Sequence, residues 1–157
     1  MPFFPNHSEV LVSTLNKEEI LKRLELVTKS ANFLDYNIVK NNAHLFNGSL
    51  GKDRFRISLM INKADSFLPL IKGKIESTPS GSIVFLDYSL FPGSVFFLGF
   101  WTAVSVLLGM VFGFLVDKQV FALLSILLGI GNYWFAWSHF KRKIKISQGI
   151  FLNLLNN

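Results

Sequence analysis

The residues able to do chemistry are few and scattered. The chain has three histidines, His7, His44 and His139, and none has a second histidine three or four positions away, so the helix-local spacing of a metal site is missing. There is no cysteine, which excludes thiol catalysis, cysteine-ligated zinc or iron–sulfur centres, and a disulfide scaffold. Gly48-Ser49-Leu50-Gly51 reads as part of a hairpin and not as a strand-to-helix phosphate loop. No G-x-S-x-G elbow occurs. Asp35-Tyr36 and Asp87-Tyr88 repeat a dipeptide, read as a loop acid and a strand edge. The expectation is a chain without catalytic residues, metal or cofactor.

Two other residue patterns carry interaction chemistry. Arg54 and Arg56 share one face of a candidate strand, and Lys72 and Lys74 share one face of the next. If these strands pair, the four cations form one patch. Together with Lys141, Arg142, Lys143 and Lys145 they would face anionic lipid headgroups, each close cation contributing about 1 kcal/mol. The plainer reading is a solvated sheet face partly neutralised by Glu76 and Asp87. Nucleic acid is not expected, because no exposed aromatic platform accompanies the cations. The second pattern is small residues at four-residue spacing: Ser105, Gly109 and Gly113 in one apolar segment, Ser125 and Gly129 in another. Small residues let helix backbones approach closely where no hydrophobic effect drives association. They serve either packing of the two segments on each other or docking to a second copy or a larger membrane protein.

The elements that position these residues follow from composition and period. Half the residues are hydrophobic, 17 are phenylalanine, only 17% are charged and the formal charge is +6. A typical soluble domain is about 25% charged. Segments 94–116 and 120–140 carry no Asp, Glu, Lys or Arg. As a helix the first extends about 34 Å, enough for a hydrocarbon core of about 30 Å. Only Asp117, Lys118 and Gln119 separate them, which forces an antiparallel transmembrane hairpin over 93–140 with both chain ends on one side. Lys141, Arg142, Lys143 and Lys145 follow the second helix, against Lys118 alone in the connection, so the positive-inside rule puts both termini in the cytoplasm. The start, MPFFPNHSEV, does not read as a signal peptide.

Residues 1–92 read as a cytoplasmic α+β domain, one helix on a small antiparallel sheet. A strand is expected at 8–14. Asn16 reads as the N-cap of a helix at 17–30, with Ile20, Leu24, Val27 and Ala31 on one face. Phe55, Ile57, Leu59 and Ile61 alternate with Arg54, Arg56, Ser58, Met60 and Asn62, the clearest strand of the chain. Strands at 68–77 and 82–90 follow, with a turn at 78–81. Residues 141–157 read as a basic amphipathic C-terminal helix, either continuing the second membrane helix or lying on the headgroups.

The run from Leu45 to Trp101, with Phe46-Asn47-Gly48, Phe55-Arg56-Ile57, the stretch from Ser66 to Ile75, and Gly81, resembles small bacterial two-helix membrane proteins of uncharacterised function. The resemblance spans about residues 10–155 and implies the same layout, with no activity and no functional residues. The expected function is a non-enzymatic accessory or adaptor in the bacterial inner membrane, with lipid and a membrane-protein partner or a second copy as its contacts. The alternatives are a membrane-surface sensor of anionic lipid, then a small oligomeric channel or an enzyme of unknown type.

Overall fold

A computed structural model describes residues 3–30, 44–61 and 65–156. In chain order these form β1 (Asn6–Ser13), α1 (Lys17–Val27), β2 (Thr28–Ser30), β3 (Phe46–Leu50), β4 (Arg54–Leu59), β5 (Pro69–Thr78), β6 (Gly81–Leu90), α2 (Pro92–Met110) and α3 (Gln119–Asn156), with a π-helical turn Val111–Leu115 ending α2. The strands make one six-stranded sheet in the order β1-β6-β5-β4-β3-β2. Neighbours are antiparallel except β2 and β3, which run parallel, so the sheet is mixed and larger than the small antiparallel one expected.

The difference has a local cause. Asn16 caps α1 by accepting the Glu19 N–H at 2.8 Å, and Ile20 and Leu24 are buried beneath it. The helix stops at Val27, because the β-branched Thr28 turns extended (φ −111, ψ 121) and pairs with Phe46. Three residues expected to be helical therefore form an edge strand. Ala31 and Asn62 lie outside the described residues. Strand β3, FNGSL, is the hairpin arm expected at Gly48-Ser49-Leu50-Gly51, although its alternation is weak. It pairs with β4 because Gly48 lets the backbones close: a Cβ there would stand 2.2 Å from the Arg56 carbonyl oxygen. Gly73 of β5 performs a related service. It lies opposite Phe55, whose buried ring covers the space that a Cβ at Gly73 would occupy.

The alternation in β4 sorts as its pattern implies. Phe55, Ile57 and Leu59 are buried on the inner face with Ile71, Ile75, Val84, Leu86 and Tyr88 from β5 and β6. Arg54 and Arg56 are exposed on the outer face. Helix α1 and the second half of α3 cover the inner face, and Phe140, Ile144, Phe151 and Leu155 of α3 join the core. The Phe151 ring lies 5.3 Å from Phe46 and 6.0 Å from Phe55, centre to centre.

Helix α3 runs unbroken across 38 residues, about 57 Å. Residues 141–156 thus form no separate helix on a surface. The described part continues the second apolar segment without a break, and Phe140, Ile144, Ser147, Phe151 and Leu155 form a buried stripe against the sheet. Such a stripe, recurring at three and four residues, keeps one face of the helix on its neighbour. The last carbonyls are satisfied from outside the helix: the Arg23 guanidinium donates to the Leu154 oxygen at 2.8 Å, and the Ser13 hydroxyl to the Leu155 oxygen at 3.4 Å.

The first half of α3 has a different environment. It packs on α2, while its outward side chains, such as Leu128 (73% exposed) and Trp134 (71%), are largely bare of protein. Pro92–Leu115 and Gln119–Leu155 are both long and apolar enough to cross a membrane, and little of either apolar stretch is buried. The helix hairpin turns through Asp117, in the left-handed region at φ 53, and the Lys118 N–H donates to the Phe112 oxygen at 2.8 Å.

Glycine substitutions separate these roles. Gly48→Ala should destabilise the fold by about 3 kcal/mol, since backbone cannot yield as a side chain can. Gly149→Ala in α3, where a Cβ meets nothing, should stabilise it by about 1 kcal/mol. Thermal unfolding of both variants in detergent, followed by circular dichroism, tests the pair.

Candidate functional site

The register places the outer-face side chains in rows across the strands. One row reads Ser8, Asp87, Lys72, Arg56 and Ser49 from β1 to β3. The next row, away from α2, reads Val10, Phe85, Lys74 and Arg54. Neighbouring strands stand about 4.8 Å apart and successive rows about 7 Å. Arg54, Arg56, Lys72 and Lys74 therefore form a two-by-two block, brought together by the pairing of β4 with β5. Like charges directly opposite on adjacent strands destabilise a sheet. Lys74 is partly compensated by Glu76 at 2.5 Å. Asp87 takes the Ser8 hydroxyl, and Arg54, Arg56 and Lys72 form no ion pair among the described residues. Exposed Phe85 and Val10 continue the row beyond the cations. The exposed Phe85 is the aromatic neighbour that the sequence did not reveal, because a phenylalanine in a strand reads equally well as core. A shallow open groove of about 860 Å³ spans this face from β1 to β3.

The outer face has a definite direction relative to the apolar hairpin. The inner face rests on α3 from Ala136 to Leu155, about 28 Å of helix. The sheet plane thus follows the α3 axis, and its outer face looks sideways from that axis. Along β6, Asp87 and Phe85 precede Leu90 by three and five residues, about 10 and 17 Å. The second set of cations lies elsewhere. Lys141 rests over the Trp137 ring at 5.4 Å and Lys143 pairs with Asp65 at 3.4 Å, both on α3 just beyond the apolar stretch. Arg142 and Lys145 are exposed on the same helix. The eight cations do not share one surface.

The small residues lie in the seam between α2 and α3. Gly109 is buried, and a Cβ there would stand 3.0 Å from Ile126. A Cβ on Gly129 would stand 2.8 Å from the Ser105 Cβ, and one on Gly113 would lie 3.6 Å from the Ala122 Cβ. Ser105 and Ser125 return their hydroxyls to the carbonyls of Trp101 and Phe121, four residues back in their own helices. The seam is therefore filled from within this chain. Beside it, Phe97, Trp101, Ser105, Ser125, Leu128 and Asn132 line a second, more apolar groove.

Two polar clusters escaped the sequence, because each joins residues far apart in the chain. On the inner face, Glu9 of β1 accepts from Tyr88 at 2.5 Å and from the Gln148 carboxamide at 2.6 Å, tying β1 and β6 to α3. Burial, and then the Glu9 carboxylate, push the Tyr88 phenol well above its ordinary value. At the foot of the hairpin, Asp65 lies 3.5 Å from His139 and 3.4 Å from Lys143. His44 stands just before β3, three strands from β6 and Asp87. Asp35 and Tyr36 lie outside the described residues. Among the described residues no group of three or more metal-binding side chains gathers.

The Tyr88 network yields a pH dependence. A phenol whose folded value is raised contributes stability fully below its unfolded value, near pH 10, and loses it as pH climbs above that value. Between about pH 10 and 12, Tyr88→Phe should flatten the alkaline fall in unfolding temperature. Equal alkaline losses in the two proteins would count against the buried Tyr88–Glu9 contact.

No known family model, curated protein or solved structure matches this chain.

Proposed function

We propose that this chain is an integral membrane accessory protein of the bacterial inner membrane. In this reading α2 and the first half of α3 cross the bilayer as a hairpin, Asp117–Gln119 lie outside, and both chain ends lie in the cytoplasm. The protein's task is to hold the sheet at a fixed position beside the membrane and present its outer face to a partner. The observation that carries the reading is α3 itself, one helix whose first half is apolar and outwardly bare and whose second half is buried under the sheet. A flexible tether would let the domain swing, whereas a continuous helix fixes its height and azimuth. The cation asymmetry of the flanks supports the orientation, because Lys141, Arg142, Lys143 and Lys145 stand at the sheet end of the hairpin and Lys118 at the other.

The natural lack of cysteine makes the topology directly measurable. Lys118→Cys should react with a membrane-impermeant maleimide on intact cells, and Ser80→Cys only after permeabilisation. The opposite pattern would invert the proposed topology, and labelling of both sites on intact cells would remove the hairpin. Purification at native expression in mild detergent should then recover a stoichiometric membrane partner. A lone, well-defined particle would contradict the accessory role.

A further inference from the structure

We infer that the outer sheet face is the docking groove for an extended acidic segment of a partner protein, its carboxylates on the Arg54, Arg56, Lys72 and Lys74 block and an apolar side chain on Phe85 and Val10. The inference deepens the accessory reading and rests on it. The charge is the first argument. Arg54, Arg56 and Lys72 lack an ion pair among the described residues, although Arg54 faces Lys74 and Arg56 faces Lys72, where repulsion costs stability, and Asp87 opposite Lys72 is the one acid in these two rows. Anions supplied by a partner remove that repulsion, and guanidinium forks fit carboxylates at two points.

Shape is the second argument. The groove is open at its ends and crosses β1 to β3, four strand spacings or about 19 Å. Small-molecule sites enclose most of their ligand, and this groove encloses little. A chain of about six extended residues spans it instead. The rows also set a polarity. Cations occupy the β4–β5 side and the apolar pair the β6–β1 side, so the segment needs acids followed or preceded by a large apolar residue. The cationic block is only two strands wide and is bordered by Asp87 and Glu76, so it accommodates a few carboxylates and not a continuous phosphate backbone. The bilayer is also poorly placed as occupant. The face is turned away from α3, and its two cationic rows lie three and five residues back along β6 from Leu90, which precedes the first apolar helix.

The test uses the full chain in phosphatidylcholine nanodiscs and a fluorescein-labelled twelve-residue peptide carrying four glutamates beside a Leu-Phe pair, read by anisotropy. Binding should weaken at least about tenfold in Arg54→Gln/Lys72→Gln, and about fivefold in Phe85→Ser. Arg54→Lys/Arg56→Lys keeps the charge but loses the two-point fit, so its binding should fall between the wild type and the Gln variant, and an unchanged unfolding temperature in each variant controls for folding. A peptide with lysine for glutamate should not bind. Unchanged affinity in the Gln variant, equal binding of the lysine peptide, or tighter binding of a single-stranded twelve-nucleotide oligonucleotide would overturn the inference. Displacement of the bound peptide by added phosphatidylserine vesicles, and not by phosphatidylcholine vesicles, would assign the face to lipid and overturn it likewise. Nanodisc insertion and recovery of a partner are scored separately, so failure of the groove is distinguishable from failure of the accessory reading.

Discussion

Everything else in this molecule depends on one helix being acceptable to two environments. The first half of α3 presents leucine, isoleucine and tryptophan on its free side, with Ala122, Ser125 and Gly129 toward α2. The second half presents lysine and arginine on its free side and Phe140, Ile144, Phe151 and Leu155 toward the sheet. A buried phenylalanine such as Phe151 is worth about 3–5 kcal/mol against alanine. That is ample to hold the second half on the sheet despite Gly149 in its middle. Because the same hydrogen-bond ladder runs through both halves, whatever fixes the hairpin also fixes the sheet.

The consequences for function follow from which sheet face is used. Packing α1 and α3 on the inner face consumes its apolar side chains and partly covers the Glu9–Tyr88–Gln148 contact, with Tyr88 itself buried. The outer face is left with rows of hydroxyl, carboxylate, cation and exposed apolar groups. Its charges would be better solvated spread out, yet strand register gathers four cations into one block. The seam between α2 and α3 already has its occupants within the chain, and the proposed interaction is therefore assigned to the outer face of the sheet.

Much of the scaffold was legible in the sequence. The apolar lengths of α2 and of the first part of α3, the Asn16 cap and the alternation from Arg54 to Leu59 each rest on local physics that a neighbourhood of ten residues displays. What escaped depends on partners distant in the chain. Thr28–Ser30 becomes a strand only because Phe46–Gly48 lies beside it. Strand β3 was legible as a hairpin arm before Arg54, but the backbone approach at Gly48 that holds it was not. The C-terminal residues were ambiguous between surface and domain, since an amphipathic stripe states that a face is covered and not by what. The cationic block was legible as a condition on strand pairing, and the register of β4 with β5 meets it. The exposed Phe85 beside it, and the meeting of Asp65 with His139 and Lys143, required the fold.

The most direct test of this account is a distance along α3. Spin labels at Leu124→Cys and Leu152→Cys, both on outward positions, bracket the junction between the apolar hairpin and the sheet. In the reconstituted full chain, a single unbroken helix predicts one narrow distance distribution centred at about 42 Å, for 28 residues at 1.5 Å each. A broad distribution, or one shortened by a bend that lays the C-terminal segment on the membrane surface, would contradict the rigid connection on which the proposed role rests.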